Sequence, residues 1–460
     1  MQQKYDLIWI GTGQATGTVV PKLVESGKTV AIAEGGKVGG SCVNYGCTPT
    51  KTLVASARAA HMARRGPDFG VETGPVSIDF NKVMARQNEI RNTTSQGLRD
   101  WLESLEGVTI YPEYASFEDK HTIRVGEQLI QGKTIIINAG ARPRLIPIDG
   151  IEAVPWLDNV RLLNLSELPD HLVIVGGSYI SLEFAQIFRR LGSRVTILEA
   201  GPQLIFREDH DIAAAIQEIL QDEGIKIYLN AKPEQVEEYQ EKKIQIHFSQ
   251  DGKELDVTGS HLLLAVGRVP NSDTLNLEAA GVAVTDRGHI QVDEFLRTNQ
   301  PHIYALGDIN GEGAFTHTSV NDGEIFWDQY SGEGDRVLST RIPTYALYID
   351  PPLGRVGMSE KEARESGQDI WMATRAMERI SRAREKDETS GMVKILVDMG
   401  SEEIVGAAIL GVGGDEVINT FTPFMYTGQS YQQFRKAVLP HPTVAELLPW
   451  ILYDLQPLNS

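Results

Sequence analysis

Two stretches of the chain carry the same pattern, and that pattern permits few folds. In the first, Leu7-Ile8-Trp9-Ile10 reads as a buried strand and Gly11-Thr12-Gly13-Gln14-Ala15-Thr16-Gly17 as a turn opening a helix to about Ser26-Gly27. Residues 29–33 then form a second strand ending on Glu34. In the second stretch, strand 172–175 leads through Gly176-Gly177-Ser178-Tyr179-Ile180-Ser181 into a helix with Ile180, Phe184, Ile187, Phe188 and Leu191 on its apolar face. Gly192 closes the helix, and strand 195–198 ends on Glu199. From first glycine to acid both units span 23 positions, 34 − 11 and 199 − 176. In such a unit the glycine turn lets a pyrophosphate approach the helix N-terminus, and the acid takes ribose hydroxyls. Thr16, Ser178 and Ser181 stand where the fingerprint has further glycines.

Both of the chain's only two cysteines lie in one stretch, Gly39-Gly40-Ser41-Cys42-Val43-Asn44-Tyr45-Gly46-Cys47-Thr48-Pro49-Thr50-Lys51. Thr48 as N-cap and Pro49 as first helical residue predict a helix starting immediately after Cys47. Its positive end, with Lys51 one turn on, favours a thiolate at Cys47. A disulfide closing so short a loop constrains almost nothing, and a zinc site lacks a second cysteine pair, so structural and metal readings are weaker than a redox-active pair.

At 460 residues the chain is long enough for about three domains. A net charge of −19 argues against a nucleic-acid or anionic-membrane partner. No apolar run approaches a membrane span and the N-terminus enters a strand directly, so the expected location is the cytoplasm. Three further strands end on glycines: Gly140, Gly267-Arg268 and Gly307-Asp308. The last is followed by a helix near Ser319-Val320-Asn321, whose N-terminus suits the pyrimidine edge of a flavin. From about Arg341 the pattern becomes α+β, with neighbouring strands at 392–397 and 404–410 and helices expected over 415–427, 431–437 and 443–454. This tail carries His441-Pro442-Thr443-Val444-Ala445-Glu446, in which a carboxylate can orient an imidazole.

Together these residues resemble the class I pyridine nucleotide-disulfide oxidoreductases, which include lipoamide dehydrogenase, glutathione reductase and mercuric reductase. The resemblance implies an α/β fold with two Rossmann-like dinucleotide-binding domains and a C-terminal α+β dimerisation domain. The expected segments are 1–149 and 271–340 for FAD binding, 150–270 for NAD(P) binding and 341–460 for dimerisation. It implies FAD against Gly11, Gly13, Glu34, Gly40, Ser41, Lys51, Gly140, Arg268, Gly307 and Asp308. NAD(P)H is expected against Gly176, Ser178, Tyr179, Ile180, Glu199 and Gly267, with Tyr179 covering the nicotinamide pocket. Hydride passes from nicotinamide to flavin, and the flavin reduces the Cys42–Cys47 disulfide, with Cys47 next to the flavin and Cys42 facing the substrate. Lys51 pairs with Glu183 beside the flavin. His441, oriented by Glu446, serves the other subunit's Cys42 as acid–base, which makes the active site a shared feature of a homodimer.

The electron acceptor expected is a small disulfide or a metal ion. Dihydrolipoamide dehydrogenase is one alternative. Another is a mercuric or metal-ion reductase lacking the usual C-terminal cysteine pair, since the chain ends Leu455-Gln456-Pro457-Leu458-Asn459-Ser460. Residues 350–358 and the arginine-rich 375–384 look most like mercuric-reductase-like and reactive-chlorine-resistance flavoproteins. A flavin sensor without turnover is disfavoured because no catalytic position is missing. Glu199, followed by Ala200 rather than an arginine, favours NADH over NADPH, although Arg207 lies further along. No resident metal is expected.

Overall fold

The computed structural model describes residues 3–240 and 243–458, which form two compact units. Met1, Gln2, Asn459 and Ser460, at the ends of the expected first and last segments, lie outside the described residues. One unit comprises residues 1–52, 81–145 and 267–341; the other comprises 53–80, 146–266 and 342–460.

In the first unit the strands run in the order Val108–Tyr111, Val30–Ala33, Gln3–Ile10, Gln128–Ile137, Thr122–Val125, Ala115–Phe117. Ile303–Ala305 also pairs with Gln128–Ile137. The first four strands and Ile303–Ala305 pair in parallel, while the other two form an antiparallel extension. Burial on both faces explains why Leu7, Ile8, Trp9 and Ile10 are all apolar rather than alternating. The helix Ala15–Glu25 crosses between the strands Gln3–Ile10 and Val30–Ala33 and buries Ala15, Val19, Val20 and Leu23.

In the second unit a five-stranded parallel sheet has the order Lys226–Tyr228, Arg194–Leu198, His171–Val175, His261–Leu264, Trp156–Leu157. A three-stranded antiparallel sheet spans Ala231–Tyr239, Lys243–Gln250 and Lys253–Gly259. The C-terminal part is a six-stranded antiparallel sheet ordered Thr344–Leu347, Leu353–Gly357, Glu403–Leu410, Met392–Asp398, Ile370–Ala376, Gln456–Pro457. Its two expected strands are neighbours, with Ile395 facing Ala407.

Four local expectations are corrected. The helix carrying Cys47 starts at Cys47 itself, not after it, because Gly46 takes the non-helical pair φ −133°, ψ −111° and frees its carbonyl for Thr50 N–H at 3.0 Å. The helix expected near Ser319 starts at Thr316, where the Thr318 hydroxyl caps Phe315. Ile180, in the first turn of its helix, leaves the apolar face and is 38% exposed; Leu182 and Ala185 pack instead. The three helices expected after residue 415 are broken into pieces such as Gly414–Val417, Thr422–Met425, Tyr431–Phe434 and Leu448–Ile451. Pro423 and Pro449 supply no amide donor there, and Gly428 turns left-handed at φ +59°. Among the described residues no helix is long and apolar enough to cross a membrane.

Candidate active site

The two glycine turns build the same clamp. In the first unit Glu34 Oε2 accepts from the Thr12 amide at 2.9 Å and the Thr12 hydroxyl at 2.6 Å, and its Oε1 accepts from the Gly36 amide at 2.8 Å. In the second unit Glu199 Oε2 accepts from the Gly177 amide and Oε1 from the Gly201 amide, both at 2.6 Å. In each case the donors are the residue after the first glycine and the residue two beyond the acid. Gly11 (φ +88°) and Gly176 (φ +107°) occupy the same place: a Cβ on either would stand 2.5 Å from the carbonyl of Asn138 or Ala265. The helices that follow, Ala15–Glu25 and Tyr179–Leu191, begin at Gln14 and Ser178 with no side-chain cap and no acid in the first turn. Apart from the Thr16 amide, which the Gly13 carbonyl accepts at 3.0 Å, their first amides meet no side-chain cap and form the positive pole that a pyrophosphate requires. The three departures from the fingerprint are accommodated: Thr16 is 3% exposed with its amide on the Gly13 carbonyl, Ser181 is fully buried, and Ser178 is extended.

In the first unit the cysteine stretch is fastened onto the glycine turn. Gly40, at φ +60°, brings its backbone so close that a Cβ would lie 3.2 Å from Gly13 Cα and 3.3 Å from Thr12 O. The fully buried Asn44 donates through Nδ2 to Val38 O at 2.9 Å and Gly40 O at 3.0 Å, tying the loop to the short helix Gly40–Tyr45 that carries Ser41 and Cys42. Cys42 and Cys47 sit as two thiols on either side of the break at Gly46. Hydrogen bonding with Cys47, then burial, push the Cys42 thiol well above its ordinary range; Thr316 and the Lys51 charge oppose the rise. Thr316 Oγ1 lies 3.2 Å from Cys47 Sγ. It opens the helix Thr316–Ser331, so hydroxyl and helix pole both face the sulfurs. Sequence reasoning missed Thr316; the only signal was a helix start placed three residues too late.

Asp308 pairs with the Arg268 guanidinium, which also reaches Ser41 Oγ at 3.1 Å and the Ala141 carbonyl. Gly307, at φ +77°, donates its amide to Asp322 Oδ2 at 2.7 Å, and Asp322 is in turn paired with Arg341. Gly140 (φ +66°) and Gly267 (φ +104°) flank the short paired strands Ala141–Pro143 and Arg268–Pro270 in this same unit. The first unit thus collects Gly11, Gly13, Glu34, Gly40, Ser41, Cys42, Cys47, Lys51, Gly140, Gly267, Arg268, Gly307 and Asp308. The cradle that glycine alone fits, the uncapped pole and the clamped acid suit the pyrophosphate and ribose of FAD.

The second unit collects Gly176, Ser178, Tyr179, Ile180, Glu183 and Glu199. The Tyr179 hydroxyl donates to Glu208 Oε1 at 3.0 Å; burial, then the Glu208 charge, hold the phenol above its usual range. Glu183 is 6% exposed and accepts from the Tyr348 amide at 3.0 Å. His441 Nδ1 lies 2.8 Å from Glu446 Oε2, with His441 74% exposed and Glu446 only 12%. Thr443 bridges the intervening turn, accepting from the Glu446 amide at 3.2 Å and donating to Pro440 O at 2.8 Å. Asp209, Asp211 and Glu360 are close enough together to hold a cation. The buried ammonium of Lys394 already does that work, at 3.2, 2.7 and 2.6 Å respectively.

Two clamped dinucleotide seats and a cysteine pair fastened to one of them define a flavin- and nicotinamide-dependent dithiol oxidoreductase. The chain belongs to the pyridine nucleotide-disulphide oxidoreductases: residues 5–323 match that family and residues 343–452 match its dimerisation domain. It is 38% identical over 454 residues to the probable pyridine nucleotide-disulfide oxidoreductase RclA of Escherichia coli, covering 97% of this chain and 98% of that one. A mercuric reductase of Staphylococcus aureus is 30% identical over 444 residues, covering 96% and 81%. Among solved structures, the Cu(II) complex of the HOCl-induced flavoprotein disulfide reductase RclA from Escherichia coli superimposes with a TM-score of 0.88 at 37% identity, covering 97% of this chain and 99% of that one. The chain is therefore a homodimeric, FAD- and NAD(P)H-dependent enzyme whose redox-active pair is Cys42–Cys47. It has no third cysteine to form a second pair for mercuric ions.

Proposed function

We propose that the enzyme uses NADH to reduce a small-molecule disulfide through Cys42, in the cytoplasm. The observation that carries this reading is the His441–Glu446 pair, 2.8 Å apart with the imidazole 74% exposed. A thiol held up as Cys42 is needs a base to act near neutral pH, and an oriented, outward-facing imidazole is one. In this reading His441 of one copy takes the Cys42 proton of the other, and Glu446 stabilises the imidazolium. The Cys42 thiolate attacks the acceptor disulfide and one thiolate leaves, which His441 protonates. Cys47 then attacks Cys42 Sγ, closing the Cys42–Cys47 disulfide and releasing the second thiol. Bound FAD supplies the two-electron link between NADH and that disulfide. Lys51 and Thr316 stabilise negative charge beside the sulfurs, and Glu183 belongs to the same proposal as a positioning carboxylate.

The remaining assignments follow the two clamps. Segments 1–149 and 271–340, together with Arg268 just ahead of the second, hold FAD through Gly11, Gly13, Glu34, Gly40, Ser41, Gly140, Arg268, Gly307 and Asp308. Segment 150–270 holds NADH through Gly176, Ser178, Ile180 and Glu199, with Tyr179 as the ring covering the nicotinamide, while Gly267, expected with them, belongs to the first unit. Segment 341–460 dimerises. Glu199 favours NADH because its carboxylate repels a 2′-phosphate.

A second reading is reduction of a metal ion at the cysteine pair, favoured by the Cu(II) complex of the similar solved structure. The test is anaerobic reduction with NADH, thiol counting, then addition of lipoamide, oxidised glutathione or cupric ions to wild type and His441→Gln. A disulfide acceptor gives turnover that His441→Gln loses. Turnover with cupric ions alone, indifferent to His441→Gln, replaces the first reading by the second. A tenfold preference for NADPH would overturn the coenzyme assignment.

A further inference from the structure

The two dinucleotide seats repeat each other residue by residue up to one position. After the strand Gln128–Ile137, the Asn138 amide donates to Ile10 O at 2.8 Å, and a Cβ on Gly11 would meet the Asn138 carbonyl. After the strand His261–Leu264, the Ala265 amide donates to Val175 O at 2.9 Å, and a Cβ on Gly176 would meet the Ala265 carbonyl. Five positions beyond the first glycine stand Thr16 and Ser181, 16 − 11 and 181 − 176. Their hydroxyls each lie 3.5 Å from this pair, Thr16 from Asn138 Oδ1 and Ser181 from Ala265 O. Asn138 alone extends beyond Cβ there, and it is 3% exposed.

That side chain touches two turns at once. Its Oδ1 backs onto the glycine turn so closely that a Cβ on Gly13 would overlap it. Its Nδ2 donates to Leu306 O at 2.7 Å and would lie 3.1 Å from a Cβ on Gly307. Asp322 holds the other side of the Gly307 turn, accepting from the Gly307 amide at 2.7 Å and from Asn310 Nδ2 at 3.0 Å.

We infer that Asn138 is a positioning residue for FAD, a strut that fixes the Gly11–Gly13 turn against the Gly307–Asp308 turn before FAD arrives. The inference rests on the reading above that these two turns hold FAD. A ligand that reaches both turns binds tightly only where their spacing is already set. Without Nδ2 the Leu306 carbonyl turns to water in the empty seat and must be stripped of it whenever FAD binds. Ala265 supplies no such link in the second seat, which suits a coenzyme that leaves after each turnover.

The test follows FAD release from the purified FAD-loaded dimer as free-flavin fluorescence after dilution. Asn138→Ala removes the donor, and release becomes roughly tenfold faster than from wild type. Asn138→Asp keeps the shape and exchanges the amide for a carboxyl. Protonated, that carboxyl still donates to Leu306 O; ionised, it sets oxygen against oxygen. Burial beside a carbonyl raises its titration above the ordinary aspartate range. The release rate of Asn138→Asp divided by that of wild type therefore rises at least about threefold between about pH 5.5 and pH 8.5. A residue that merely filled space would shift this ratio equally at every pH. An Asn138→Ala rate within about threefold of wild type, or a flat Asn138→Asp ratio, overturns the strut. Should Asn138→Ala not fold, the pH profile of Asn138→Asp decides. Glu34→Ala tests the seat separately, since it removes the clamped acid and leaves Asn138 in place; release roughly tenfold faster is expected. If Glu34→Ala releases FAD no faster than wild type, the seat is misassigned and the strut falls with it. If only the Asn138 results fail, the seat stands and the strut does not.

Discussion

Replacing Thr316 by valine removes one hydroxyl beside the cysteine pair while preserving side-chain shape. That hydroxyl lies 3.2 Å from Cys47 Sγ and also holds the Cys42 thiol down against the rise imposed by Cys47 and burial. A hydrogen bond to a charged group is worth about 1.5–3 kcal/mol, and one pKa unit corresponds to about 1.36 kcal/mol. Losing it raises the pH at which the reduced pair gives up its first proton by roughly one to two units. Because the sulfurs interact, that proton belongs to the pair rather than to one cysteine. The assay is iodoacetamide alkylation of the reduced protein across a pH series, with each cysteine followed by peptide mass spectrometry. Thr318→Val is the control: the Thr318 hydroxyl caps the same helix start, accepting from Phe315 N at 3.1 Å, without serving the sulfurs. A Thr316→Val midpoint within about 0.3 unit of wild type, or one matched by Thr318→Val, refutes the argument that the hydroxyl stabilises the thiolate.

Three further outcomes follow from the same contacts. Cys47→Ser removes the neighbour that raises Cys42, so alkylation of Cys42 near neutral pH becomes faster; slower or unchanged alkylation contradicts that cause. Gly40→Ala forces a side chain onto Gly13 and Thr12 backbone at φ +60°, and flavin release followed by fluorescence becomes about tenfold easier; full retention would count against the fastened loop. Lys394→Met leaves the buried Asp209 facing the partly exposed Asp211 and Glu360 with no ammonium between them and destabilises the fold by about 3 kcal/mol in urea unfolding, where a loss below about 1 kcal/mol would be inconsistent. Burial alone would raise the Glu360 pKa, but bonds from Lys394 and Arg364 depress it. Its contribution to stability is therefore present above the ordinary glutamate value of about 4.3 and is lost as pH falls through the lower folded value. Lys394→Met flattens that acid limb.

Much of the fold was legible because its signals are local. A glycine at φ +88° or +107° followed 23 positions later by an acid is a chemical requirement written in sequence, and both clamps lie where it indicates. Ile180 shows the limit of periodicity: spacing puts it with Phe184 and Ile187, yet it stands in the first turn and is exposed, and no pattern within the helix marks where burial begins. The C-terminal sheet was half hidden for a related reason. Leu353–Gly357 carries two glycines and the buried Arg355, and Ile370–Ala376 alternates weakly, so neither has the apolar continuity of Met392–Asp398. The contacts of Thr316 with Cys47, of Glu208 with Tyr179 and of Tyr345 with Glu208 were invisible because they span 269, 29 and 137 positions of sequence. His441 and Glu446, five positions apart, could be paired by inspection.

The repetition of one carboxylate between two peptide amides has a consequence for molecular discrimination. Glu34 and Glu199 each give one oxygen to the amide after a glycine and the other to the amide two residues on, at distances that agree within 0.3 Å. Two keyholes built on the same pair of amides, one with an added Thr12 hydroxyl, do little to tell two keys apart. On the proposed assignment, whatever keeps flavin out of the second seat and nicotinamide out of the first must act further along each molecule, where the halves differ: Gly40 and Arg268 around one, Tyr179 around the other. Engineering aimed at exchanging one dinucleotide for the other should therefore leave both acids alone and rebuild those outer walls.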